Sequence, residues 1–335
     1  MPLRDRLLGL LVAVLWGLGF PATSIALDHY PPFLLGALRC LVVAVPTMLL
    51  VPRPQVPFTR VVAIGFSLGV VQFGLVYLAL AAGMPAGLAS LLIQLAAPLT
   101  VVLGAVLLRE RVTRRQVVGL SVALAALGVI AVHRASVAPV LPIVLTVLGA
   151  AGWALGNVAT RWAAAPQALH LTLWWSVVPV LPLLVLSLTV EGPAMITETL
   201  GSAFSRETVP SDLAFVYVCL GSTVGAYALW SLLLSRHDSA RVAPFGLLVP
   251  VFGLLSSWAV LGEAVEAIVV AAGAVVLAAV AWSSRADLPP DATRPDVALL
   301  PVVPPIPEAP RQDAPAAGQP APTTPRSAPA DSLDG

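Results

Sequence analysis

The chain has 335 residues, 58% of them hydrophobic and 10% charged. Soluble domains carry about 25% charged residues, so a water-soluble globular protein is excluded. The formal charge of +1 conceals an asymmetry: residues 1–285 carry 15 Arg against 10 acids, and residues 286–335 carry 3 Arg against 7 acids.

Arg4 and Arg6 precede an apolar run from Leu7 to Leu27. Small residues at Ala22 and Ala26 lend it the outline of a secretory signal peptide. It is too long for a signal h-region, has Trp16 at its centre and is followed by further apolar runs, so it reads as a first membrane helix. Residues 61–108, 48 positions, contain no Asp, Glu, Lys or Arg. A membrane helix takes about 20 apolar residues, so this stretch holds two spans and a turn. Counting runs bounded by charge, Pro or Gly predicts ten spans, near 7–27, 33–51, 60–81, 87–108, 116–132, 139–160, 170–190, 213–235, 242–262 and 265–283. The expected fold is an all-α polytopic membrane protein with ten transmembrane helices.

Cytoplasmic loops collect Arg and Lys. With the N-terminus inside, cytoplasmic segments hold twelve Arg (4, 6, 53, 60, 109, 111, 114, 115, 161, 236, 241, 285) and outer loops only Arg134 and Arg206. Both termini are therefore expected in the cytoplasm. Residues 286–335, with 13 Pro, lack the apolar clusters that would offset ordering entropy and read as a disordered Pro-rich cytoplasmic tail.

The body divides into 1–132 and 133–285. Ala89–Glu110 echoes Val242–Glu263 in length, Pro-interrupted apolar centre and terminal Glu, and Trp16-Gly17 echoes Trp153-Ala154. Halves of five spans each, an odd number, oblige the second to lie inverted relative to the first.

Polar side chains in hydrocarbon face a cavity or a neighbouring helix. Gln72, Gln94 and Tyr227 fall near the middle of spans three, four and eight. Together with mid-span Trp16 they are candidates for a midplane binding site; the alternative is that each Gln hydrogen-bonds an adjacent helix. Trp153 and Asn157, one turn apart, share a face of span six. Trp174, Trp175 and Trp282 lie near span ends and read as interfacial-belt residues. Arg39 is the one charge well inside a span. It reads either as a ligand for a substrate carboxylate or as a structural Arg that snorkels outward or binds backbone carbonyls.

Mid-span acids are absent, and His29, His133, His170 and His237 lie at loops or span ends, which disfavours a buried proton relay. Coupling to protons would then fall to span-end groups such as Glu110 or Glu263. Cys40 and Cys219, far apart in apolar runs, make neither a disulfide framework nor a CxxC metal site. No Walker A sequence or intramembrane hydrolase set appears. The expected chain is no enzyme, carries no cofactor and binds no nucleic acid.

Several segments carry a family resemblance: WGLGF at Trp16–Phe20, ALR at Ala37–Arg39, RPQVP at Arg53–Pro57, GMPAGLASLLIQ at Gly83–Gln94, WALGN at Trp153–Asn157 and RVAPFGLLVPVFG at Arg241–Gly253. Over residues 5–285 the chain resembles the EamA family of the drug/metabolite transporter superfamily, and within it bacterial exporters of O-acetylserine and cysteine. The resemblance implies a monomeric inner-membrane carrier of two inverted five-helix repeats that exports small polar metabolites. It implies a central cavity with Trp16, Gln72, Gln94, Trp153, Asn157 and Tyr227 as lining candidates. Arg109-Glu110-Arg111 departs from a family pattern that commonly has Gly there. A lipid-linked or nucleotide-sugar carrier of the same superfamily and a non-transport scaffold are the competing functions.

Overall fold

A computed structural model describes residues 1–109, 112–135, 140–237 and 239–283. The Pro-rich segment 286–335 and Glu110 lie outside the described residues. Those described are helical, without a strand. In chain order the helices are α1 (Leu3–Leu27), α2 (Pro32–Leu50), α3 (Phe58–Ala81), α4 (Ala86–Leu108), α5 (Arg114–Ala135), α6 (Leu141–Ala163), α7 (Leu169–Glu191), a short α8 (Pro193–Ser202), α9 (Val209–Arg236), α10 (Pro244–Leu261) and α11 (Ala267–Ser283).

Helix thus covers each segment expected to span. By length and composition, eight of these helices are able to cross a membrane: α1, α2, α3, α4, α6, α7, α9 and α10. The other two long ones, α5 and α11, have 22 and 17 residues and pack on each other. Leu49, Leu50, Val106, Leu181, Leu213 and Trp258 are each 54% exposed or more. In water such a surface would aggregate; lipid covers it, and the chain is a multi-pass membrane protein.

Lipid tails are as apolar as Leu, so the helices associate through close packing rather than through a hydrophobic drive. The approach is tightest at glycines. A Cβ at Gly17 would lie 2.5 Å from Phe252 Cβ and 2.9 Å from the Gly253 nitrogen, joining α1 to α10. On α6, Cβ atoms at Gly149, Gly152 and Gly156 would fall 2.7, 2.7 and 2.3 Å from Val76, Val71 and Leu68 of α3. Further contacts join α1 to α9, α2 to α7, and α4 to both α6 and α10.

Four helices are irregular in matching ways. α3 is π-helical over Phe66–Phe73 and α9 over Tyr217–Gly225. In α4 a 3-10 turn at Ile93–Leu95 precedes Pro98, and at 247–248 a turn precedes Pro250 of α10. Beyond each break runs a 13-residue helix, Ala96–Leu108 and Val249–Leu261. Both close on a left-handed residue, Arg109 at φ 56° and Gly262 at φ 66°. Glycine suits that conformation, whereas Arg109 bears a cost of about 1 kcal/mol for its Cβ.

The bundle has two chemically distinct ends. Arg4, Arg6, Arg53, Arg60, Arg161 and Arg236 mark an Arg-rich end. There Asp5 meets His237 at 2.6 Å, Arg60 donates to the Ala163 carbonyl at 3.0 Å, and Trp174 Nε1 to the Val51 carbonyl at 3.1 Å. At the opposite, acidic end Glu191 accepts the Phe33 and Leu34 amides at 2.6 and 3.1 Å, closing the start of α2. Glu263 does the same for Ala86 and Gly87 at the start of α4, at 2.6 and 3.0 Å. Asp212, 1% exposed, accepts the Tyr30 hydroxyl at 2.6 Å, the Thr208 hydroxyl at 2.7 Å and the Phe204 amide at 2.8 Å. Carboxylates satisfy orphan amides and the positive end of the dipole at a helix start. Glu263 therefore has a structural partner.

Candidate transport site

A cleft opens between α3, α6, α7 and α9. The space it encloses, open mouth included, is about 460 Å³, and the part closed off from solvent is narrow. α3 contributes Ile64, Leu68, Gln72 and Phe73; α6 contributes Trp153, Asn157 and Thr160; α7 contributes Leu171, Thr172 and Trp175; α9 contributes Tyr227. Leu171 and Thr172 belong to the first turn of α7, and Thr160 to the last turn of α6. The cleft therefore lies in the Arg-rich half of the bundle.

Local sequence explains the arrangement. The glycine face of α6 sets its backbone against α3, with a Cβ at Gly152 only 3.0 Å from the Gln72 nitrogen. Trp153 and Asn157, four residues apart, then share the adjoining face. On α3 the π-helical stretch adds a residue to the turn, and such bulges recur at functional sites. It carries both Gln72 and Phe73.

Four of the six lining candidates meet here: Gln72, Trp153, Asn157 and Tyr227. Trp16 stands behind them. Its ring meets Tyr227 edge-on at 5.3 Å and Trp230 at 5.2 Å, so it backs the wall rather than lining it. Gln94 is half-buried in the Ile93–Leu95 turn and does not line the cleft. Depth alone misled there, because equal depth says nothing of which way a side chain turns. Neither Gln makes a side-chain hydrogen bond among the described residues, which removes the interhelical-bond reading for both. Asn157 Nδ2 donates to Thr100 Oγ1 at 3.2 Å, linking α6 to α4.

Arg39, 8% exposed, does not snorkel, and among the described residues it bonds side chains rather than backbone carbonyls. Its Nε donates to Thr223 Oγ1 of α9 at 2.9 Å, and one Nη donates to the Tyr77 hydroxyl of α3. The guanidinium lies on the Phe73 ring, 4.1 Å from its centroid, a cation–π contact strengthened by desolvation. Phe73 also stacks with Tyr77 at 5.9 Å and meets Trp175 at 6.2 Å.

Sequence reading missed Phe73, Thr160, Thr172 and Trp175. Trp175 read as a belt residue and is a wall residue instead; its neighbour Trp174 is 9% exposed and bonded to Val51. Proximity to a span end is the belt's signature, and a cleft reaching into that end mimics it. Among the described residues no group of His, Cys, Asp and Glu could hold a metal ion.

The EamA-like transporter family matches this chain twice, over residues 6–132 and 140–285. A Salmonella typhimurium protein named "Probable amino-acid metabolite efflux pump" is 37% identical over 286 residues, 83% of this chain and 94% of its own. Its Escherichia coli namesake is 35% identical, over 78% and 89%. A Streptantibioticus cattleyicolor "Probable terminal-alkyne amino-acid exporter" is 28% identical, over 83% and 92%. One solved crystal structure shares the fold at a TM-score of 0.57 and 22% identity, covering 85% of this chain and 97% of that one. The chain belongs to the EamA-like transporter family.

Proposed function

We propose that this protein exports small, neutral, amino-acid-like metabolites across the bacterial inner membrane, with O-acetylserine, cysteine and their near relatives as the first substrates to test. The observation that carries the reading is the cleft, lined by Tyr227, Trp153 and by Gln72, which has no side-chain hydrogen bond among the described residues. A wall of neutral amides, hydroxyls and aromatic faces hydrogen-bonds a zwitterion and covers a short side chain. None of the residues lining the cleft is charged, which argues against a lipid-linked or nucleotide-sugar cargo, whose phosphates need several cations. Relatives named as amino-acid metabolite efflux pumps support the same class.

Transport proceeds by alternating access between two inverted five-helix repeats, 1–132 and 133–285, in a ten-span chain with cytoplasmic termini. The two family matches, the paired π stretches of α3 and α9, and the paired breaks of α4 and α10 support this division. With the Arg-rich end in the cytoplasm, the cleft loads from inside. The carrier works as a monomer and without a cofactor. The tail is dispensable to transport.

Efflux from proteoliposomes loaded with a neutral amino-acid panel tests the function, and an inactive panel would overturn it. A reporter active only in the periplasm, fused to Gly335, should stay silent. An imposed pH gradient should change initial rates only weakly, since no mid-span carboxylate is present to carry the proton.

A further inference from the structure

Arg39 is a buried cation without a counter-ion. No carboxylate of the described residues lies within ion-pair distance of it. Its partners are two neutral hydroxyls, Thr223 and Tyr77, and the face of Phe73. Those bonds engage Nε and one Nη. The second Nη has no hydrogen bond among the described residues, and it is not a fully occluded atom. Desolvating a guanidinium is costly unless an anion joins it, so the protein maintains an arrangement that a carboxylate would complete.

The cluster also lies beside the transport site. Phe73 is common to both: it lines the cleft, and it carries the guanidinium on its ring. Trp175, another lining residue, meets the same Phe73 ring at 6.2 Å. Arg39 stands seven residues into α2 from the acidic end, whereas the cleft lies toward the Arg-rich end. A molecule moving outward from the cleft meets the Phe73 ring first and the guanidinium behind it.

We propose that Arg39 is the carboxylate subsite of the carrier, screened from the loading cleft by the Phe73 ring and aimed by Thr223 and Tyr77. This rests on the export reading above and adds the part of the substrate it selects. A ring rotation uncovers the guanidinium, and a carboxylate then takes the place of the π face. The cation gains a counter-ion and a charge-assisted hydrogen bond from its second Nη. Substrates bearing a free carboxylate are carried; their amides, esters and decarboxylated amines are not.

The experiment uses the unaltered full-length protein in proteoliposomes. Vesicles are loaded with the best-exported amino acid of the panel or with its carboxamide, methyl ester or decarboxylated amine. The acid should leave at least tenfold faster than each analogue. In detergent it alone should raise the melting temperature. Equal rates within threefold for acid and amide would overturn the subsite while leaving the export reading intact; an inert acid would overturn both. Arg39→Gln should bring acid and amide rates together at unchanged membrane abundance. Should that variant fail to insert, Phe73→Leu, which removes the screen, should raise the affinity for the acid at least threefold relative to that for the amide; an unchanged ratio would overturn the subsite. A purely structural Arg39 predicts no discrimination by the parent protein.

Discussion

The acidic and Arg-rich ends of the bundle differ in what joins residues 1–132 to 133–285. At the acidic end three carboxylates of the second segment, Glu191, Asp212 and Glu263, each hold donors of the first: Phe33 and Leu34, Tyr30, and Ala86 and Gly87. At the Arg-rich end the α1–α9 side is tied through Asp5 and His237, and the side built from α3, α6 and α7, which carries the cleft, is joined through bonds to backbone carbonyls, Arg60 to Ala163 and Trp174 to Val51. Hydrogen bonds to charged groups contribute about 1.5–3 kcal/mol each. With five such bonds between the two segments, the acidic end is the harder one to part. In the alternating-access proposal those carboxylate bonds are the ones to be exchanged for others.

The largest expected disturbance comes from the contacts both ends share. Gly17→Val pushes a side chain onto Phe252 and the backbone of Gly253, which cannot give. Overpacking typically costs 1–3 kcal/mol, occasionally more; membrane abundance and melting temperature should both fall sharply. Parental abundance would show that α1 and α10 slide apart freely. Next, removing latches at the acidic end should open it. Cys40 and Cys219, 3% and 2% exposed, react slowly in the parent. In Glu191→Gln combined with Glu263→Gln, an impermeant maleimide added outside should label them about tenfold faster, the effect of one charged bond's lower limit. Unchanged labelling would mean the carboxylates are helix caps and nothing more.

A smaller effect separates two glutamines of equal depth. Gln72→Ala should lower efflux about three- to tenfold, the worth of one ligand hydrogen bond, whereas Gln94→Ala should export at the parental rate. Both proteins should accumulate normally, because neither side chain makes a hydrogen bond among the described residues. Equal losses would move the site toward α4. The smallest change is Arg109→Gly, which relieves the φ of 56° and should add a few tenths to about 1 kcal/mol of stability with no change in efflux. A drop in melting temperature would show that the Arg109 side chain matters more than its backbone.

Legibility differed between the helices and the site. The boundaries of α3 and α4 were readable to within two residues, because an apolar run ended by charge or proline has few other ways to satisfy its backbone in lipid. Trp153 and Asn157 were readable as a pair, since a spacing of four residues fixes a shared face. Phe73 was not. It looks like any core aromatic in an apolar run, and only the π-helical turn of Phe66–Phe73 brings it between the cleft and Arg39. Trp175 was hidden for the opposite reason, its position imitating an interfacial anchor.

The sequence by itself determined that this is an all-helical membrane protein of the EamA family, where its long helices run, and that its arginines crowd one end; the short α8 escaped it. Those properties follow from local composition, because a helix in lipid satisfies its own backbone wherever its neighbours lie. Tertiary structure decided the rest: that Gln72 faces the cleft and Gln94 does not, that Arg39 is met by Thr223 and Tyr77 from distant helices, and that three carboxylates close one end. Each depends on helix rotation and on contacts more than thirty residues apart in the chain. Rotation is set by where glycines let two backbones touch, and that is a property of pairs of helices.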